Sequence, residues 1–124
     1  MDLYREEILD HFKHPRNWGK LKQVDGRAKE TNASCGDIME VGVKMKADRI
    51  EKIKFQGEGC AISMAAGSML TEMVEGKEKK EVEKMDDEAM VKRLGIKVSV
   101  TRRKCVTLGL VTLKKALEGY GKKK

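Results

Sequence analysis

Apolar and polar positions along the chain change period twice, and the changes mark out the elements. From Leu3 to Lys13, Tyr4, Ile8 and Phe12 fall four apart, which predicts a short amphipathic helix with those three residues inward. His14-Pro15 stops it, because the residue before proline avoids helical backbone, and Asn17-Trp18-Gly19 continues the turn. A weakly patterned stretch from Gln23 to Thr31 predicts a first strand. Met39, Val41, Val43 and Met45 then alternate with Glu40, Gly42, Lys44 and Lys46, a clear period of two. Ala47-Asp48 is a tight turn into a third strand, where Ile53 and Phe55 alternate with Lys52 and Lys54. So short a link predicts an antiparallel pair.

The helical period then returns. Ile62, Ala66, Met69 and Met73 form one stripe of a helix from Ala61 to Val74, stopped at Gly76. Lys77 to Lys84 reads as a charged connector. Asp86-Asp87 begins a short helix that runs to Leu94 and closes at Gly95. A last helix starts at Arg102 or Lys104 and ends at Leu117, with Val106, Leu110, Leu113 and Leu117 on one face. The order is helix, three strands, three helices. Segregation of this kind predicts an α+β fold, a three-stranded antiparallel sheet packed against helices.

A length of 124 residues suits one domain, with a basic, frayed tail over residues 119–124. Aromatic residues are 4%, so the core must be built from aliphatic side chains and methionine. No apolar run approaches the ~20 residues of a membrane span, and the N-terminus lacks the basic start and apolar stretch of a signal peptide. Both point to a cytoplasmic protein with no membrane partner. The net charge of +7 would suit nucleic acid, but charge is its only support. A dense Lys/Glu surface of the heat-adapted kind explains it as well.

Three cysteines remain, Cys35, Cys60 and Cys105, at separations of 25 and 45 positions. An odd number without a close pair is neither a disulfide framework nor a zinc ribbon. Each is expected at a junction. Cys35 precedes Gly36 and Asp37 at the entry to the second strand, and an extended Cys-x-Asp presents thiol and carboxylate on one side. Cys60 immediately precedes a helix, and Cys105 is expected in the first turn of another. A helix N-terminus favours thiolate, and Arg102, Arg103 and Lys104 add to that at Cys105. Singly, each cysteine is as well explained by burial. Together with the carboxylate they point to metal or persulfide chemistry. His11 is expected on a solvated helix face, and no Ser–His–Asp set is visible.

At these residues the sequence closely resembles the IscU/SufU/NifU family of iron–sulfur cluster assembly scaffolds. Tyr4 to Gly19 resembles the family's opening helix and its H-x-x-x-P-R-N-x-G turn. Asn32-Ala33-Ser34-Cys35-Gly36-Asp37 is similar to N-P-x-C-G-D, with Ala33 in place of proline. Gly57-Glu58-Gly59-Cys60-Ala61-Ile62-Ser63 and Arg103-Lys104-Cys105 resemble the second and third cysteine motifs. The resemblance implies an α+β sandwich with Cys35, Asp37, Cys60 and Cys105 as ligands at one exposed end. It implies a transient 2Fe–2S or 4Fe–4S cluster, or Zn2+ in its place. It also implies a cysteine desulfurase and apo iron–sulfur proteins as partners, and a homodimer that shares a cluster. Cys105 is the expected persulfide acceptor, and the carboxylate is a source of lability for what is built there.

Two departures modify this. Lys104 stands where IscU members carry histidine, which resembles SufU, and is expected to tune charge. The separation of Cys60 from Cys105 is nevertheless of the shorter, IscU-like length. The L-P-P-V-K motif falls on Val98-Ser99-Val100-Thr101-Arg102 without either proline, which argues against a dedicated Hsp70. The competing expectation is a zinc-dependent sulfurtransferase, an enzyme rather than a scaffold.

Overall fold

The structure, a computed structural model, describes residues 3–33 and 36–120. The elements in chain order are α1 (Leu3–Lys13), β1 (Gly26–Asn32), β2 (Asp37–Lys46), β3 (Arg49–Glu58), α2 (Ala61–Val74), α3 (Lys79–Glu83), α4 (Asp87–Leu94) and α5 (Val100–Glu118). The strands form one antiparallel sheet in the order β1-β2-β3. Ala47 and Asp48 both take positive φ (51° and 62°), the geometry of a two-residue hairpin whose twist matches its strands. The alternation sorts as expected. Met39, Val41, Val43, Ile53 and Phe55 are buried, whereas Lys44, Lys52 and Lys54 are exposed.

Helices α2 and α5 cover the inner face of the sheet. Their crossing is close because Gly67 and Gly109 face each other above Met39, and a Cβ on Gly67 would lie 2.9 Å from the Phe55 ring. Each helix has a physical start. Asp86 and Ser99 cap α4 and α5 by accepting from the backbone N–H groups of Ala89 and Arg102. Gly95 closes α4 in the left-handed conformation.

Four local expectations change. The connector over residues 77–84 contains a short helix, α3, opened by reciprocal bonding between Glu78 and Glu81. Helix α5 begins at Val100 because Ser99 caps it, so Cys105 lies in its second turn and not its first. The helix-end field fades over that distance, so it does not supply the thiolate preference expected there. The inward face of α1 is Ile8 and His11, while Tyr4 and Phe12 are largely exposed. His11 is therefore a buried residue, and the reason lies on α2.

His11 Nδ1 lies 2.7 Å from Ser68 Oγ, which also accepts the backbone N–H of Arg16 at 2.8 Å. Glu72 Oε1 is 3.5 Å from His11 Nε2. A Ser–His–Glu set has thus assembled from distant residues. It is a clip and not a nucleophile, because Ser68 is fully buried and its oxygen is already engaged by Arg16. In the neutral tautomer with Nδ1 accepting the Ser68 hydroxyl hydrogen, His11 presents Nε2–H toward Glu72. The turn after α1 is strapped to β3 and to α2 as well. Phe55 N donates to Asn17 O at 3.0 Å, Gly19 N donates to Phe55 O at 2.9 Å, and Asn17 Nδ2 donates to Thr71 Oγ1 at 3.0 Å.

Burial, followed by the nearby Arg16 guanidinium, lowers the His11 pKa below its ordinary 6.5, with Arg93 adding to the fall and Glu72 and Glu7 opposing it. The native state thus favours the neutral ring and binds fewer protons than the unfolded chain. Stability from this clip is complete above about pH 6.5 and is lost as pH falls through the depressed native value. The midpoint of urea unfolding should fall on that acid side, and His11→Gln should flatten this segment of the pH profile.

Candidate metal centre

Three of the four expected ligands meet at one end of the sheet. Asp37 is the first residue of β2 and is paired with Asn32 across the ladder. It follows Gly36, whose φ of +71° is the left-handed turn that the motif requires. Its side chain is fully buried. Asp37 Oδ1 accepts the backbone N–H of Cys60 at 3.1 Å, so the carboxylate holds the start of α2 in place. Gly59 makes room for this, since a Cβ there would lie 2.5 Å from Asp37 Oδ1.

Cys60 is the N-cap of α2, with extended backbone and its Sγ accepting from Ser63 N at 3.4 Å. This agrees with the junction expected for it. Cys105 comes from α5 and is 1% exposed. Asn32 Nδ2 approaches its sulfur at 4.0 Å. The donor atoms of Asp37, Cys60 and Cys105 all lie within 4.8 Å of one another. Cys35 lies outside the described residues, as does the end of the basic tail.

The donor set fits a thiophilic metal. Two sulfurs and a carboxylate are brought together, and Asp37 Oδ2 is buried with no hydrogen-bond partner among the described residues. A buried, unpaired carboxylate oxygen is costly unless a cation claims it. Asp37, Cys60 and Cys105, with Cys35 two residues before Asp37, would make the four donors of a tetrahedral zinc site. Lys104 is exposed and lines a groove of about 340 Å³ with Asn32, Ala33, Thr107 and Leu108. Sequence reasoning did not single out Ser63 or Asn32 as parts of the site. The signal for Ser63 was its place three residues after a helix-capping cysteine.

No helix among the described residues is long and apolar enough to cross a membrane. The chain matches the NifU-like N-terminal domain family over residues 3–124. It is 39% identical over 121 residues to the iron–sulfur cluster assembly scaffold protein IscU 1 of Archaeoglobus fulgidus, covering 98% of this chain and 78% of that one. It is 46% identical over 79 residues to the zinc-dependent sulfurtransferase SufU of Bacillus subtilis, covering 61% of this chain and 51% of that one. Among solved structures, the N-terminal part of a nitrogen-fixing NifU-like protein from Brucella abortus superposes with a TM-score of 0.81 at 18% identity, covering 98% of this chain and 96% of that one, a likeness of fold. A three-stranded antiparallel sheet under two crossing helices, a family match over nearly all its length and a relative at 39% identity show that this chain belongs to the NifU-like N-terminal domain family.

Proposed function

We propose that this chain is an iron–sulfur cluster assembly scaffold, a carrier and not an enzyme. It takes sulfur from a cysteine desulfurase, binds iron, holds both while an external electron donor reduces that sulfur to sulfide, and passes the finished 2Fe–2S or 4Fe–4S cluster to apo-proteins. The observation that carries this reading is the gathering of the Asp37, Cys60 and Cys105 donor atoms within 4.8 Å. Cys35, two residues before Asp37 in the sequence, is the proposed fourth ligand. The relative named a cluster assembly scaffold matches across almost the whole chain, which supports the same reading. One carboxylate among three thiolates is a weaker hold than four thiolates, and suits a cargo that must leave.

Sulfur enters by exchange. A scaffold thiolate attacks the terminal sulfur of the donor's persulfide, a new S–S bond forms, the donor's S–S bond breaks, and the donor departs as thiolate. Cys105 is the proposed acceptor, with Lys104 beside it in sequence. The greater exposure of Cys60 favours the competing assignment. Incubation with a desulfurase and free cysteine, read as a mass increase of one sulfur atom, separates the two. Under our assignment Cys60→Ser takes up sulfur and Cys105→Ser does not. The reverse pattern moves the role to Cys60.

The second reading is a zinc-dependent sulfurtransferase. The same donors suit a tetrahedral zinc, and the relative carrying that name is 46% identical where it aligns. In that case zinc, when bound, would hold the thiolates ready for exchange, and no cluster would be built.

A further inference from the structure

Ser63 lies in the first turn of α2, wholly buried, and its hydroxyl has no hydrogen-bond partner among the described residues. A buried hydroxyl weakens the fold for as long as it stays unpaired, so its presence asks for a partner. Ser63 stands three residues after the capping Cys60, the position from which a side chain turns back toward the capping residue. The usual target there, the backbone N–H of the capping residue, is already taken, because Cys60 N donates to Asp37 Oδ1 at 3.1 Å. Beside Ser63 is the sulfur of Cys60, which accepts from the Ser63 backbone N–H at 3.4 Å. Cα–Cβ bonds of a helix tilt toward its N-terminus, so the hydroxyl stands on the turn that this sulfur caps.

A second unpaired oxygen belongs to the residue that holds the Cys60 N–H: Asp37 Oδ2 is buried and has no partner among the described residues. Both orphaned oxygens therefore sit on residues hydrogen-bonded to Cys60, one suited to receive a cation and the other able to donate a hydrogen bond. We propose that Ser63 is a positioning residue of the metal centre, its hydroxyl donating to the Cys60 sulfur when that sulfur is held as a ligating thiolate. Ser63 then supplies two donors, N–H and O–H, to one sulfur. A thiolate accepts more strongly than a neutral thiol. Hydrogen bonds to a ligating atom fix its orientation and tune the metal. The inference rests on the metal-centre reading given above.

The test uses the full chain with zinc and cobalt(II) as the only added ions, comparing parent and Ser63→Ala. Alanine fits within the space of serine. The expected result is about a tenfold weaker zinc affinity and a shifted sulfur-to-cobalt charge-transfer band. The melting temperature of the metal-stripped variant should match or exceed the parent's, since no hydrogen bond is lost there. Equal zinc affinity with an unshifted cobalt band overturns the inference alone. So does a metal-stripped variant that melts well below the parent, because that is a structural role. A parent that takes up neither ion overturns the metal-centre reading and this inference together.

Discussion

Cys60→Ser should emerge from anaerobic treatment with iron and a sulfur source carrying almost no iron or sulfide, while its metal-stripped form should melt with the parent. The separation follows from the two roles of Cys60. As N-cap, its side chain accepts from Ser63 N, and its backbone N–H donates to Asp37 Oδ1. Serine is among the best capping residues, so both bonds survive and helix α2 still starts at the same place. As ligand, however, the soft thiolate is replaced by a hydroxyl that stays protonated at neutral pH and holds thiophilic metals poorly. Loss of an outer hydrogen bond to a ligand already costs about 10–100-fold in affinity, and loss of the ligand itself costs more. A variant that kept its iron and sulfide would place the cluster away from these residues.

Phe55→Ala should destabilise the chain by about 3–5 kcal/mol and lower the melting temperature by roughly 10–25 °C. Phe55 is fully buried at the centre of β3, opposite Val41. Its ring fills the notch left by Gly67 on α2, and the Trp18 ring stands edge-on to it with centroids 5.2 Å apart. Truncation empties a space that the surrounding strand, helix and turn cannot close together. The same strand leads into Gly57 to Cys60, so slack here reaches the site. Thermal unfolding by circular dichroism reads the effect, and a shift of only a few degrees would mean that the cavity collapses.

How much of this was legible in the sequence differed with the kind of residue. The period-two run from Met39 to Met45 and the inward Ile53 and Phe55 located β2 and β3, because one face of that sheet is dry and the other wet. Asp86, Gly95 and the Ala61–Val74 stripe located α4 and α2 by their caps and their period. Gly67 and Gly109 carried no such signal, since a glycine inside a helix shows its purpose only when another chain segment lies against it. His11 was placed on the wrong side of α1 for the same reason. A titratable residue reads as exposed until its partners, Ser68 and the Arg16 backbone, arrive from beyond the helix.

The site divides in the same way. Asp37 and Cys60 could be read from their neighbours, Gly36 and Gly59, because sharp turns beside polar groups have few bland explanations. Cys105 is legible in the sequence as part of the set, but its place in the second turn of α5 is not. Ser99 moved the helix start back by several residues, and a cap of one hydroxyl is a small signal in a stretch rich in lysine and arginine. Ser63 was invisible as a site residue, since an unpaired hydroxyl can be seen only after the other bonds are counted.

The central claim is that this cluster of thiols and carboxylate receives iron and sulfide together. The direct measurement is the iron and acid-labile sulfide content of the parent chain, purified without oxygen and supplied with iron and a sulfur source, alongside its visible absorption. The scaffold account predicts iron and sulfide in near-equal amounts with sulfur-to-iron charge-transfer bands. Zinc held so tightly that iron does not displace it, with no sulfide retained, would contradict that account and leave the sulfurtransferase in its place.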